Sequence, residues 1–596
     1  MDQYVLPSAT RRVKLRFDKN GNPAYESVKS PECFKQNALG VLPPHDVIPV
    51  IFVPGIAGSN LRVKGSKKDT WAPPNSAGGG LSAAFGSTFR SNRKRQILFD
   101  PANTEVNPDC EFSVPDNVYW LTTEEAKRRG WGGVHAGSYL DLLCRLEVSL
   151  NDQYTLPGRS VDDGNFMLPE IGLMKHLEGG PKAPPSYRIS IPMPPNYETL
   201  AENAMIFWNK KAPALTVEQV KHLDSYYYPV YAYGYNWLQS NEESAKGLQK
   251  RIDEIFAHYN KSSYFKCAGK VILVTHSMGG LVARRAAQID ASKILGVVHG
   301  VQPVMGAPVL YRRMRAGQEG SGVEGTVVSV IMGSSEAEMT AQLARAPGPF
   351  ELAPTKHYPM NWLRCRLDNE KKEVLFTLPK SDPYTEIYAK TTDDCWWGMV
   401  NPEYIDPAGT IRRNNKNPAK EYKNAVDIAK VFHDKLGLYA HPETYGFYGI
   451  DNNKHRSFGH VEWIIPEGVR KFTDSIDEIK NAKVAEDPLG GVPSYTSGKV
   501  RLRFVSKQKT KAAGMEYHDQ KLFNAVLSDQ CNQRGDATVP EDSGKVLERL
   551  NPPPKEAFAM AGFDHQTAYN DPFAYQAAIY FIARLVQNAP PPTPFC

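Results

Sequence analysis

The chain has 596 residues, which is long for a single core, so we expect several domains or one large domain with insertions. Its composition is globular, with 41% hydrophobic and 23% charged residues. The 71 basic and 65 acidic residues leave a net charge of +6, which is too small and too dispersed for a dedicated nucleic-acid-binding protein. This charge would mildly favour an anionic membrane surface.

The amino-terminal stretch MDQYVLPSATRRVKLRFDKNG lacks the basic, apolar and small-residue order of a secretory signal. No stretch approaches the ~18 uninterrupted apolar residues that cross a membrane. We therefore expect synthesis in the cytoplasm without a signal peptide. The eight cysteines form no C-x-x-C pair, which favours free thiols over a zinc or redox site. One or two disulfides remain the alternative for a protein that works outside the cytoplasm.

Six regions alternate along the chain between core and inserted segments. We assign them as an amino-terminal extension (1–45), core (46–64), an insertion that could form a lid (65–224), core (225–310), a cap insertion (311–520) and core (521–596). The extension contains a short predicted strand, RRVKLRF. The first core region has the buried-strand pattern VIPVIFV followed by PGIAGSN, whose glycines allow a tight turn.

The region 225–310 has the alternation of a parallel α/β protein. We predict a strand at 229–233, a helix beginning near Asn241, a strand at 270–275, a helix at 279–290 and a further strand in the apolar run ILGVVHGVQPVMGAP. This order predicts a mostly parallel sheet with helices on both faces.

Beyond Gly306 this alternation stops. The cap region contains an amphipathic helix in SSEAEMTAQLARA, and the sheet pattern is predicted to resume at FNAVLSDQCNQRGDATVP and AFAMAGFDHQTAYND, before a final helix, PFAYQAAIYFIARLV. Segments 78–86 and 323–350 combine small or apolar residues with glycines, so we expect them to form mobile lids. A rigid elaboration of the fold is the alternative.

The stretch VILVTHSMGGLVARRAAQ places Ser277 at a corner between a strand and a helix. A serine hydroxyl becomes a nucleophile only with a base, an orienting acid and an oxyanion site. A strained corner projects the hydroxyl, and the helix N-terminus stabilises developing negative charge. Gly279 and Gly280 suit this turn, but Thr275 stands where the usual G-x-S-x-G motif has glycine. We predict that Ser277 is a catalytic nucleophile; an ordinary turn is the alternative.

The partners of such a serine follow it in the chain, the acid before the histidine. Of the fourteen histidines, only His565 lies beyond Asp536. Asp536, in QRGDATVP, would sit at a strand exit and orient His565, in AGFDHQ. His565 would take the serine proton and return it to the leaving alcohol. The alternatives are Asp542 or Asp564 as the acid and His460 or His518 as the base.

The oxyanion site needs two donors. We predict the backbone N–H groups of Ile56, in the loop after the first core strand, and Met278, after the serine. A tight glycine turn without a ligand is the alternative for the first loop. We assign His276 to packing or the rim of the site. No cofactor is predicted, and the acidic residues show no metal-ligand spacing, so no metal site is assigned and calcium stays an open question.

These motifs together resemble α/β-hydrolase lipases, especially the lecithin:cholesterol acyltransferase-like and glycosylphosphatidylinositol-inositol-deacylase-like branch. The likeness rests on PGIAGSNL, YGYNW, THSMGGLVAR, GDATVP and GFDHQ. Thr275 departs from the pattern, as does Pro54, where many bacterial lipases have histidine. The resemblance implies an α/β-hydrolase fold with two large cap or lid insertions.

A large lipase of this kind is also similar to the lipase effectors that bacteria deliver by type VI secretion. That similarity implies a phospholipase released into the periplasm of a rival cell, a lipid or membrane surface as substrate, an immunity protein and a secretion-apparatus partner, and no nucleic acid. An acyltransferase using the same triad and a catalytically silent partner-binding scaffold are the alternatives.

Overall fold

The computed structural model of the protein describes residues 11–13, 15–26, 38–39, 42–73, 91–115, 118, 121–151, 215–317, 333–485, 495–512 and 515–593. The predicted lid segment 78–86 and the first part of the segment 323–350 lie outside the described residues. Within the described ranges, no helix is long and apolar enough to cross a membrane. The six cysteines in these ranges are free thiols.

Six strands within the described residues form the central sheet. In chain order they are β1 (Val50–Val53), β2 (Val230–Ala232), β3 (Val271–His276), β4 (Ile294–Gly300), β5 (Thr444–Gly449) and β6 (Glu556–Met560). They are hydrogen-bonded in the order β2-β1-β3-β4-β5-β6, and every neighbouring pair is parallel. The predicted parallel α/β core is therefore present. Because the strands are parallel, their carboxyl ends share one edge, where β3 delivers Ser277.

Helices cover both faces of this sheet. The longer described helices are α1 (Ala136–Asn151), α2 (Asn241–Tyr259), α3 (Gly279–Ile289), α4 (Val309–Ala316), α5 (Glu336–Leu343), α6 (Pro418–Leu436) and α7 (Pro572–Val586). Neighbouring residues of a strand point to opposite faces. Accordingly, Ile51 belongs to the buried cluster that contains Leu248 of α2, whereas Phe52 belongs to the one that contains Leu142 of α1.

The sequence explains where these helices begin. The predicted helix at Asn241 starts there, and the hydroxyl of Ser240 caps it by accepting the Glu242 N–H at 3.2 Å. The final helix follows the cap residue Asp571, whose carboxylate accepts two backbone N–H groups, and has proline at its first position. That helix is apolar nearly all round because it is buried against the sheet and its neighbours.

Part of the predicted insertion 65–224 is core structure. Tyr139, Leu142, Leu146 and Leu150 recur at helical spacing on α1 and are buried against the sheet. The sequence predicts an insertion here because this segment has no regular alternation of strands and helices. The rest of the described region includes a three-stranded antiparallel sheet of Leu61–Val63, Asp69–Trp71 and Thr104–Val106.

Strand β5 lies inside the predicted cap insertion 311–520, so the cap assignment is wrong for this strand. Its sequence, TYGFYG, lacks the branched apolar run of the other core strands. Gly446 explains the composition, because a side chain there would bring its Cβ within 2.6 Å of the His299 carbonyl oxygen on β4. The close approach of the two strands therefore requires glycine.

A second, mixed sheet occupies much of the remaining cap region. Its seven strands are Leu363–Asp368, Val374–Leu378, Val461–Pro466, Lys483–Val484, Tyr495–Thr496, Lys499–Ala512 and Met515–Leu527. The last strand was predicted to resume the parallel sheet, and this is wrong: it pairs with Lys499–Ala512 in an antiparallel hairpin. Its buried residues, Phe523, Ala525 and Leu527, alternate with more accessible ones, the pattern of a sheet buried on one face.

Candidate active site

Ser277 occupies a strained corner at the end of β3. Its backbone φ is +53°, a left-handed conformation that residues with side chains seldom adopt, and α3 begins two residues later. A Cβ on Gly279 would lie 2.3 Å from the carbonyl oxygen of Val53, so only glycine lets the start of α3 approach β1 this closely. The corner predicted from the sequence is therefore present in the fold.

Thr275 fits this corner because its side chain has a partner on the neighbouring strand. Its Oγ1 lies 3.0 Å from Nδ1 of His299, and both side chains are buried. The Tyr569 hydroxyl donates to the Thr275 carbonyl oxygen at 2.9 Å. Thr275 can therefore stand in place of the glycine of the common motif, because its side-chain oxygen has a hydrogen-bonding partner.

The structure brings Ser277, His565 and Asp536 together. The Nε2 atom of His565 lies 2.7 Å from Oγ of Ser277, and its Nδ1 atom lies 2.8 Å from Oδ2 of Asp536. The imidazole therefore joins the hydroxyl to a buried carboxylate, in the arrangement of a nucleophile, a base and an orienting acid. His565 follows β6 through Gly562, whose φ of +100° is a conformation that favours glycine.

The acid reaches the site by a route that the sequence did not predict. Asp536 lies on a loop after the hairpin of the second sheet, and the loop returns to the carboxyl end of β5. A Cβ on Gly449 would come within 2.6 Å of the Asp536 Cβ. The second carboxylate oxygen of Asp536 accepts the N–H groups of Val539 at 2.7 Å and Thr538 at 3.1 Å. These bonds fix the carboxylate so that its other oxygen faces His565.

Ser457 holds the same loop in place, a role that the sequence does not predict. Its hydroxyl accepts the Asp536 N–H at 3.2 Å and donates to the Val539 carbonyl oxygen at 3.1 Å. A Cβ on Gly535 would lie 2.2 Å from this hydroxyl, which explains the glycine before the acid. The motif RSFG carries no chemical signal of its own, so only the folded chain assigns Ser457 this role.

The four alternative residues have other partners. Asp542 accepts from the Gln533 side chain at 2.6 Å, and Asp564 accepts from the Thr567 hydroxyl at 2.8 Å. His460 lies 3.2 Å from the Glu462 carboxylate, and His518 lies on the hairpin of the second sheet.

The loop after β1 is held beside Ser277 by three side chains. The hydroxyl of Tyr235 donates to the carbonyl oxygen of Pro54 at 2.9 Å, and the indole of Trp71 donates to that of Ala57 at 2.6 Å. The Gly55 N–H donates to the hydroxyl of Tyr139 at 3.3 Å. A Cβ on Gly55 would lie 3.0 Å from that of Ser277, so this loop lines the reacting corner.

His276 connects this loop to the histidine loop. Its Nε2 lies 2.8 Å from the His565 carbonyl oxygen, which can only accept, so Nε2 carries the proton. Its Nδ1 then accepts from the Tyr139 hydroxyl at 2.9 Å, and that oxygen accepts from Gly55. Burial lowers the pKa of His276 to about 3, so the ring is neutral at working pH. The expected packing role is thus a specific hydrogen-bonded link.

No family model and no curated protein matches the chain. Among solved structures it is similar to the crystal structure of the Tle4-Tli4 complex, with 27% sequence identity and a TM-score of 0.66. The match covers 91% of this chain and 99% of that one. This likeness over nearly the whole of both chains supports a shared fold. Phospholipase PlaB from Legionella pneumophila matches with 11% identity and a TM-score of 0.14, over 58% of this chain and 88% of that one. This TM-score is too low to indicate a shared fold.

Ser277 and His565 open into a cavity of about 680 Å³. One wall is apolar and comes from α4, α5 and the segment after them, through Leu310, Met339, Leu343 and Leu352. Basic residues of the turn after β5 also line the cavity. Within the described residues, no group of three or more His, Cys, Asp and Glu side chains is placed to hold a metal ion.

Proposed function

We propose that the chain is a serine ester hydrolase that acts on lipids, and specifically a phospholipase. The observation that carries the proposal is the His565 ring, which joins Ser277 Oγ at 2.7 Å to Asp536 Oδ2 at 2.8 Å at the mouth of a partly apolar cavity. The apolar side chains that line this cavity, among them Leu310, Met339 and Leu343, support a lipid substrate.

In the proposed reaction, Ser277 Oγ attacks the carbonyl carbon of the lipid ester while its proton passes to His565 Nε2. The carbonyl π electrons move to oxygen and give a tetrahedral oxyanion. When that intermediate collapses, the carbon–oxygen bond to the alcohol breaks and His565 protonates the departing alcohol. A water molecule then repeats the sequence on the acyl-enzyme, releasing the fatty acid. Asp536 stabilises the charged His565 ring and holds Nδ1 in its protonated form.

The backbone N–H groups of Ile56 and Met278 are our candidates for the oxyanion donors. Ile56 lies in the braced loop and lines the cavity, and Met278 follows the nucleophile at the start of α3. Within the described part of the chain, neither N–H has a backbone acceptor. Donors fixed in advance and unpaired are what stabilisation of a developing oxyanion requires.

We further propose that the protein is a type VI secretion effector directed at the membranes of a target cell, released there into the periplasm. Tle4 was crystallised in complex with Tli4. By analogy, an immunity protein would bind this chain and block it, and a component of the secretion apparatus would carry it.

The decisive assay is lipid analysis by mass spectrometry of a defined phospholipid mixture treated with the wild type or with Ser277→Ala. Fatty acid and lysophospholipid should appear with the wild type only, and the identity of the products names the ester that is cut. Adding a long-chain alcohol separates the alternative activity, because an acyltransferase would form a new ester. Equal product release by the two proteins would exclude Ser277 as the nucleophile.

A further inference from the structure

The cavity beside Ser277 is lined by apolar and by basic side chains. Leu310 on α4 and Met339 and Leu343 on α5 are among the apolar ones. Lys454, His455 and Arg456, which follow one another in the turn after β5, line the same cavity. An apolar wall and a basic turn in one cavity match an amphiphile with an apolar chain and an anionic group.

The basic turn has a fixed shape. The carboxylate of Asp451 accepts the N–H groups of Asn453 at 2.6 Å, Lys454 at 3.0 Å and His455 at 3.3 Å. These bonds hold the backbone of the turn around the Asp451 carboxylate. The backbone positions of the consecutive basic residues are therefore fixed.

The turn is also tied to both catalytic loops. Asp451 pairs through its backbone with Gly535, next to the acid, and its carboxylate accepts the Gly562 N–H at 3.2 Å. The carbonyl oxygen of His455 accepts the Ala537 N–H at 2.7 Å. A ligand held by this turn would therefore have a defined position relative to Asp536 and His565.

Two cations of the turn have no carboxylate partner in the described part of the chain. Arg456 donates to the side-chain oxygen of Asn452 at 2.8 Å, and Lys454 is exposed. The cavity wall also includes Arg313, Asp529 and Asp564, and Asp564 is bonded to Thr567. Lys454 and Arg456 outnumber the single carboxylate of the turn, Asp451, which is already bonded to backbone N–H groups, so the turn offers positive charge that suits an anion.

We propose that Lys454 and Arg456 bind the phosphodiester of a phospholipid headgroup while the acyl chain lies against α4 and α5. This inference rests on the proposed function, because it places the ester between these two subsites at Ser277. The two side chains are specificity residues: they favour a phosphate-bearing lipid over a diacylglycerol with the same chains.

The test measures binding in the Ser277→Ala background, so that hydrolysis does not enter. The probes are dihexanoylphosphatidylglycerol and dihexanoylglycerol, which have the same acyl chains, and affinity is measured by calorimetry. We expect the phospholipid to bind about tenfold more tightly or better, since charge-assisted hydrogen bonds to phosphate are lost with the diacylglycerol. Adding Lys454→Ala and Arg456→Ala should remove this preference and leave diacylglycerol binding unchanged.

The matched control removes two exposed lysines of α6, Lys420 and Lys423, which do not line the cavity. This double variant should keep the full preference for the phospholipid. Equal affinity for the two probes, or a preference that survives the loss of Lys454 and Arg456, would overturn the headgroup assignment. If the wild-type protein bound the phospholipid with this preference but did not hydrolyse it, the proposed function would be refuted. The headgroup assignment would still hold in that case.

Discussion

Tyr139→Phe tests whether the link between the loop after β1 and the histidine loop positions the reacting groups. The substitution removes one buried hydroxyl and keeps the ring. Two buried groups then lose their partner: the Gly55 N–H, at 3.3 Å, and Nδ1 of His276, at 2.9 Å.

The expected cost follows from these two groups. A buried polar group left without a partner costs about 1–3 kcal/mol, and the longer bond to Gly55 belongs at the lower end. We therefore expect the free energy of unfolding to fall by about 2–4 kcal/mol. Gly55 directly precedes Ile56, our proposed oxyanion donor. Because loss of such a donor outright costs about 100- to 1000-fold in kcat, its indirect displacement should lower kcat by about tenfold.

The assay combines urea unfolding with steady-state hydrolysis of a soluble ester. Tyr388→Phe is the matched control, because the Tyr388 hydroxyl is buried and donates to the Pro354 carbonyl oxygen at 2.6 Å, away from the cavity. This control should lose about 1–3 kcal/mol, because the Pro354 carbonyl oxygen is left without its partner, and should keep its kcat. If Tyr139→Phe also kept its kcat, the link would stabilise the fold without positioning the oxyanion loop, and our reasoning would be refuted.

Three further predictions concern single groups. Asp536→Asn should fold normally but lower kcat by about 10⁴-fold in ester hydrolysis, because an amide favours the wrong tautomer of the histidine; near wild-type turnover would exclude Asp536 as the acid. Thr275→Val should lower the unfolding free energy by about 1–3 kcal/mol in urea titration, because it leaves the second buried ring nitrogen of His299 unpaired; unchanged stability would contradict this. Burial lowers the folded-state pKa values of His276, His299 and His433 to about 3, about 3 and about 4, so at these residues the unfolded chain binds more protons than the folded chain between about pH 6.5 and pH 4. Their contribution to stability should be complete above this window and should decrease as the pH falls through it. Each should contribute about 1.4 kcal/mol per pH unit, measured by urea unfolding at several pH values, and a flat profile would refute the argument for His276, His299 and His433.

The sequence was most informative where chain order and backbone geometry restrict which residues can form the active site. Ser277 was found because a strand, a corner with glycines and a helix occur in one short stretch, and His565 because it is the only histidine after Asp536. The structure brings the three side chains into contact.

The path of the chain between these motifs could not be read in the same way. Strand β5 was assigned to the cap because its glycine serves a close approach to β4, which no local pattern reveals. The apolar pattern of the hairpin strand Met515–Leu527 is compatible with either sheet. Only its pairing with Lys499–Ala512 shows to which sheet it belongs. Tyr139 and Ser457 act through hydrogen bonds to distant segments, so their roles depend on tertiary contacts alone.

The most direct test of the central claim, that Ser277 is an activated nucleophile, is covalent labelling with a fluorophosphonate followed by peptide mass spectrometry. Our account predicts one adduct per chain, on the peptide that contains Ser277, and slow or absent labelling in His565→Ala, because the base that lies 2.7 Å from the hydroxyl is then missing. Folded wild-type protein that stays unlabelled, or an adduct on a different residue, would contradict the account.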